Sequence, residues 1–289
     1  MSTEPIWDDH PELRRPVLVA GFTGWNDAAN SASDAVEWLA ANLGGTVFAR
    51  IDPERHYDFQ TTRPQVTVRD GVTESITWPQ NLFSAVTTTD SPHDLIILRG
   101  VEPNFGWKGF CDTVVTVARA AGCELVVTLG ALLADVPHTR TPVITGTATD
   151  PALIERLGLE RSRYEGPTGI VGVLHDACRD ADLVSASLWA PVPHYVASAP
   201  DPVASRELVA RLALLTGLEL DLTELDLAAE GWRNRVSTAV VGDADTAAYV
   251  AELESRFDTE IREPGLGDLP SGDDLAEELE RYLRDQRDE

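Results

Sequence analysis

Short, wholly apolar runs alternate with stretches of helical periodicity, and this alternation restricts the fold more than any other feature of the 289-residue chain. Val17-Leu18-Val19-Ala20-Gly21 is apolar throughout, the pattern of a strand buried on both faces. Ala28, Ala32, Ala35, Val36, Leu39 and Leu43 then recur at helical spacing, and Gly44-Gly45 closes that helix. Thr46–Ile51 is the next strand, so the unit reads as βαβ with its two strands parallel. Leu95–Leu98, Leu125–Leu129, Val143–Thr147 and Val184–Trp189 are further strand runs. Helices are expected over about Trp107–Ala121, from Asp150-Pro151 to Gly158, over Gly169–Arg179, and from Asp201-Pro202 to Thr216 before Gly217. Val66, Val68 and Ile76 flank Asp70-Gly71, which predicts an antiparallel hairpin over Gln65–Thr77 that makes the sheet mixed. The expected fold is α/β: a mixed, mostly parallel sheet flanked by helices, with a helical C-terminal appendage.

Four regions follow. Residues 1–16 form an N-terminal extension and 17–218 the α/β core domain. Residues 219–258 form the helical appendage, whose last helix carries Val250, Leu253 and Phe257. Residues 259–289 hold 11 acids and 4 arginines, with a Pro/Gly-rich linker before a terminal helix that puts Leu275, Leu279, Tyr282 and Leu283 on one face.

Charge excludes several activities. Lys plus Arg is 23 against 48 Asp plus Glu, a net of −25, which repels nucleic-acid backbones and anionic membrane surfaces. Lys108, the only lysine, is followed by Gly109 and Phe110, so no phosphate-binding Gly-Lys-Ser/Thr exists, and a Schiff base would have to form on Lys108. Cys111, Cys123 and Cys178 are odd in number and include no C-x-x-C pair, which fits reduced thiols in a cytoplasmic protein. The six histidines make no H-E-x-x-H motif, and no metal or cofactor is expected. The acidic N-terminus is unlike a signal peptide, and the longest apolar stretch, near Leu125–Ala134, is too short to cross a bilayer.

Loops after the strands carry the candidate site. Ligands of open α/β sheets bind beyond the strands' carboxyl ends. There lie Asn26 and Asp27, able to cap the next helix or to leave its N–H groups facing an anion; Arg99 and Glu102, able to hold a polar substrate or to pair with each other; His138, a possible general base with Asp135 nearby; Arg140; and Glu165 in the turn Tyr164–Gly169. If the strands are parallel, these residues gather in one polar groove. Trp189, His194 and Tyr195, with Pro191 and Pro193, read instead as a stiff apolar contact surface, as do Leu279, Tyr282 and Leu283 of the terminal helix. No G-x-S-x-G elbow is present.

The same loops carry a family resemblance. Gly24-Trp25-Asn26-Asp27-Ala28, Leu98-Arg99-Gly100-Val101-Glu102-Pro103, Asp135-Val136-Pro137-His138-Thr139-Arg140, Tyr164-Glu165-Gly166-Pro167-Thr168-Gly169 and Pro193-His194-Tyr195-Val196 occur in that order. Together they resemble the proteasome assembly chaperone two family, in particular its actinobacterial branch. The resemblance runs from about Val17 to the C-terminal helix. It implies a fold like that of phosphorylases and peptidyl hydrolases, homo-oligomers with trimers favoured, and a non-enzymatic role in which a chain end docks on a partner such as proteasome subunits. It supplies no catalytic residues. The chain ends Arg287-Asp288-Glu289, unlike the hydrophobic, tyrosine-anchored tail used for docking by eukaryotic members. The alternative is a phosphorylase- or hydrolase-type enzyme acting on a small polar molecule in the groove.

Overall fold

A computed structural model describes residues 4–149, 153–154, 160–161, 164–196 and 200–262. In chain order the strands are β1 (Ile6–Trp7), β2 (Val17–Thr23), β3 (Thr46–Ile51), β4 (Gln65–Arg69), β5 (Val72–Thr77), β6 (Asn81–Val86), β7 (Leu95–Val101), β8 (Leu125–Ala134), β9 (Thr145–Ala148), β10 (Glu160–Arg161) and β11 (Ser185–Pro193). The helices are α1 (Ser31–Asn42), α2 (Trp107–Ala120), α3 (Ile170–Asp180), α4 (Pro202–Thr216), α5 (Thr223–Val241) and α6 (Ala244–Arg262). Among the described residues nine strands join one sheet in the order β1-β3-β6-β7-β2-β8-β11-β9-β10.

The centre of the sheet is parallel. β2 pairs in parallel with β7 on one side and β8 on the other, and β8 pairs in parallel with β11. β2 is apolar from Val17 to Phe22 because both of its faces are covered there. Val17 and Val19 face the core shared with α1 and α4, whereas Leu18, Ala20 and Phe22 face the core shared with α2 and α3. Each such side chain taken from water contributes about 1.5–3 kcal/mol.

The sheet is mixed for a reason other than the hairpin. β6 runs antiparallel to β7 and to β3, and β9 antiparallel to β11. The β4–β5 hairpin forms, with Asp70 and Gly71 both at positive φ as a type I′ turn requires, but it stands apart as its own two-stranded sheet. β3 does run in the direction of β2, as the βαβ reading expects, yet β7 and β6 lie between them.

Other boundaries move. β8 continues to Ala134 and β11 to Pro193, so Pro191 and Pro193 lie inside a strand. Both lie past the stretch that pairs with β9, where β11 has a partner on one side and a missing N–H is tolerated. Helix α4 starts and stops as expected: the Asp201 carboxylate accepts from the Val203 and Ala204 N–H groups, and Gly217 closes the helix with φ 69°. The appendage is two helices, and the second runs past Asp258 to Arg262. No helix among the described residues is long and apolar enough to cross a membrane. Of the helix expected from Asp150, only Leu153 and Ile154 are described, and they are helical; the terminal helix with Leu279, Tyr282 and Leu283 lies outside the described residues.

Candidate functional site

The carboxyl ends of β3, β7, β2, β8 and β11 share one edge of the sheet, and the motif loops leave from it. The structure divides the seven groove candidates among three places along that edge.

Glu102, just after β7, lies at the first. One carboxylate oxygen accepts from Asn26 Nδ2 (2.9 Å) and from the Ile170 N–H (2.8 Å), the other from the Trp25 N–H (3.0 Å). Ile170 opens α3, so a carboxylate fills that helix N-terminus, satisfying an orphan donor and complementing the helix dipole. Packing leaves no room for error here. A Cβ on Gly169 would come within 2.1 Å of Asn26 Nδ2, and one on Gly24 within 2.7 Å of the Glu102 side chain. Asn26 is buried, and its Oδ1 has no hydrogen-bond partner.

Asp27 works beside it. Its Oδ1 reaches over the 28–30 turn to accept from the Ala32 (2.7 Å) and Ser33 (3.1 Å) N–H groups of α1. Burial pushes this carboxyl above its ordinary pKa, while the bonds from Ser33 and Ala32 pull it back. Ala29 and Asn30 in the spanned turn adopt left-handed backbone, with φ 50° and 57°. Such residues persist only where surroundings hold them, and the Asp201 N–H bonds the Ala29 carbonyl at 3.1 Å. Glu165 is exposed in the turn ahead of α3.

Arg99 makes up the second place. It pairs with Glu37 of α1, so Arg99 and Glu102 do not bond each other. The third place is the β8 loop. His138 is 2% exposed. Its backbone N–H donates to Tyr195 Oη (2.8 Å), and its ring Nδ1 hydrogen-bonds the same hydroxyl (2.8 Å). The other ring nitrogen, Nε2, lies 3.0 Å from Ser237 Oγ in α5. Both ring nitrogens are thus held by hydroxyls from two different elements, which latches the β8 loop to α5. Burial holds the His138 pKa below its ordinary value and pushes the Tyr195 phenol up to about 12, which keeps both neutral.

The rest of that loop grips α6. Arg140 makes a two-pronged pair with Asp258 (2.8 and 2.9 Å) and a contact with Glu254 (3.2 Å). Asp135 lies against His194 Nδ1 (3.3 Å) and Tyr249 Oη (3.4 Å). Of the candidate contact residues, Trp189 is half-buried over Gly130, where an added Cβ would meet its ring at 2.8 Å, and its indole donates to Ser187 Oγ. Tyr195 is half-buried on His138, and His194 is exposed.

Sequence reasoning missed what this edge shows to solvent. Trp25 and Phe105 are exposed in the loops after β2 and β7. In the chain after β3, whose carboxyl end lies on this same edge, the β4–β5 hairpin has Val66, Val68, Val72, Ile76 and Trp78 exposed. The alternation of Val66 and Val68 with Thr67 was visible, but not that nothing among the described residues covers it. The cysteines take no part: burial pushes all three thiols up to about 12. Among the described residues no cluster of His, Cys, Asp and Glu could hold a metal ion.

These features define a three-layer α/β protein with a latched helical arm, whose strand-end polar groups are tied into its own structure. The chain belongs to the PAC2 family, whose profile matches residues 21–240. It is similar to a PAC2 family protein from Streptomyces avermitilis, with 45% identity, 81% of this chain and 99% of that one covered, and a TM-score of 0.76. It is also similar to the proteasome-assembly chaperone homologue of Mycobacterium tuberculosis, at 41% identity, 81% and 99% coverage and a TM-score of 0.75. An archaeal proteasome activator from Pyrococcus furiosus shares the fold at 18% identity, 81% and 97% coverage and a TM-score of 0.65. No curated protein matches the chain.

Proposed function

We propose that this protein is a non-enzymatic, cytoplasmic, assembly-chaperone-like binding protein, working as a homo-oligomer (a trimer in the favoured form) and handling proteasome subunits as partners. The likeness to the mycobacterial assembly-chaperone homologue supports the class of partner. One observation carries the reading. At the edge where α/β enzymes hold substrates, Glu102, Asp27 and His138 are consumed by bonds to helix ends and to α5, while Trp25, Phe105 and the hairpin valines face solvent. Tied polar groups beside exposed aromatics suit a protein contact better than catalysis. The alternative, turnover of a small polar molecule in the groove, would need those same groups released from helix capping.

The test is affinity capture from native lysate with mass spectrometry, for the full chain and for a form ending at Glu263. Stoichiometric recovery of a proteasome subunit by the full chain is the expected result, and its loss on truncation would assign the handle to the terminal segment. Recovery of this chain alone in both cases, together with a metabolite bound at the groove, would overturn the reading in favour of an enzyme.

A further inference from the structure

Helix α5 turns one face to the body and leaves another uncovered. Leu225, Ala229 and Trp232 are buried. Leu227, Ala228, Gly231, Arg235 and Ala239 recur about a turn apart and line a groove of about 840 Å³. Val196 and Pro202, from the turn after β11 and the start of α4, line it as well. Leu227 is 65% exposed. Alanine and glycine along this face let a second helix axis approach closely. A Cβ on Gly231 would meet nothing nearer than Arg235 Nη1 at 3.3 Å, so the guanidinium lies back over that glycine.

The chain leaves the described body beside this groove. Phe257 of α6 and Trp232 of α5 line one small cavity, and Trp232 also lines the groove. Helix α6 ends at Arg262, about 8 Å along its axis from Phe257. Residues 263–272 follow, with Pro264, Gly265, Gly267, Pro270 and Gly272, and an extended run of that length reaches about 33 Å. The groove is within that reach.

Both length and charge select the occupant. From Leu227 to Val240, α5 rises about 20 Å, and residues 273–286 at helical pitch span the same about 20 Å. Leu275, Leu279, Tyr282 and Leu283 fall on one face of that segment, the anchor spacing of a helix laid in a groove. Its first half carries Asp273, Asp274, Glu277, Glu278 and Glu280 with no base among them, and Arg281, Arg284 and Arg287 follow. The charged residues lining the groove among the described residues are Arg235 and, past the end of α5, Asp243. Arg235 has no ion pair among the described residues. A helix parallel to α5 sets its acidic half on Arg235 and its arginine half toward Asp243. The opposite direction would set like charge on like at both places.

We propose that residues 273–286 fold back as a helix onto their own chain and fill this groove, parallel to α5, with Leu279 and Leu283 against its small residues. Seated there, the terminal segment is withheld from any partner and must leave the groove to reach one.

The experiment is hydrogen–deuterium exchange, read by mass spectrometry, on the full chain and on its L279D/L283D, R235E and L214D variants, at about 1 and about 50 μM. The double variant alters only the terminal segment, Arg235 is exposed, and Leu214 is an exposed apolar residue of α4 outside the groove. In wild type, residues 227–240 and 273–286 should both exchange at least about 10-fold more slowly than in L279D/L283D, and equally so at both concentrations. R235E should lose part of that protection, about 3-fold, and L214D should match wild type. If residues 227–240 exchange alike in wild type and L279D/L283D, the segment does not occupy the groove and the proposal fails. Protection that appears only at the higher concentration would place a second copy's segment there and overturn docking onto the same chain. Loss of protection in L214D as large as in L279D/L283D would overturn the assignment to this groove.

Discussion

Replacing Glu102 by alanine should be among the costliest single changes outside the apolar core. The carboxylate accepts three bonds, from the Trp25 N–H, Asn26 Nδ2 and the Ile170 N–H. Asn26 and Ile170 are buried, so water does not readily replace their acceptor. A buried donor left without a partner costs about 1–3 kcal/mol. Two such donors, plus the lost charge at the α3 N-terminus, sum to about 3–5 kcal/mol. At about 2 °C per kcal/mol for a chain of this size, the melting temperature should fall by about 6–10 °C. Glu102→Gln separates bonding from bulk. Its carbonyl oxygen can still accept from Asn26 and Ile170, so only the Trp25 bond and the charge are lost, at a cost of about 1–2 kcal/mol. Differential scanning calorimetry of the two variants reads both numbers. A Glu102→Ala protein that melts within about 2 °C of wild type would refute the reasoning, because the three bonds would then contribute no more than an exposed contact. So would a Glu102→Gln protein as unstable as the alanine variant.

Other expectations can be checked in the same way. Burial holds His56, His138 and His175 below the ordinary imidazole pKa, so the unfolded chain binds protons that the folded chain refuses. Stability should therefore fall as pH drops below about 6.5, by up to about 1.4 kcal/mol per pH unit for each histidine until its folded pKa is passed. Asp27 and Asp201, raised by burial, act with the opposite sign at more acid pH, where their protonation favours the folded form. Urea midpoints should show a weaker fall for His138→Gln than for wild type, and parallel falls would mean His138 takes no part. Asp201→Ala removes the acceptor for two N–H groups of α4 and should cost about 1–2 kcal/mol in thermal unfolding, Asp201→Asn clearly less. Thiol titration at mildly alkaline pH should find Cys111 and Cys178 unreactive in the folded protein and half-buried Cys123 reacting first, with all three released in urea. Rapid reaction of Cys111 in the folded state would contradict its burial.

The layered core was legible because it is written locally. Val17–Gly21 and Leu95–Leu98 are apolar at every position, and strands covered on both faces need nothing else. The caps of α4 were legible for the same reason, since Asp201 and Gly217 act within a few residues of the helix ends. β6 was not, because Asn81 and Ser84 interrupt its apolar run although both are buried. The candidate site was legible as a set of loops and illegible as chemistry. Glu102 meets Ile170 across 68 residues and His138 meets Ser237 across 99, and no spacing rule reaches so far. Without those partners a carboxylate and an imidazole at strand ends look free to react. Whether the hairpin's apolar face finds cover was equally a question of tertiary placement.

The latch between the β8 loop and the two C-terminal helices sets the order in which the molecule opens. Leu225 at the start of α5 joins the main core, and farther along, α5 contributes Ala229 and Trp232, with Val236 packed against them, to a small cluster with Val203. Beyond that, α6 buries Val250 and Leu253 and packs Tyr249 on His194 and Tyr195, and its polar ties to the body through Arg140, Glu254 and Asp258 are exposed enough for salt to screen. Protection of amide hydrogens should therefore grade downward from the sheet through α5 to α6, with the steepest loss of protection in α6 as salt rises. Such a gradient gives the protein a cooperative unit that can detach and reseat while the layers beneath it keep their packing.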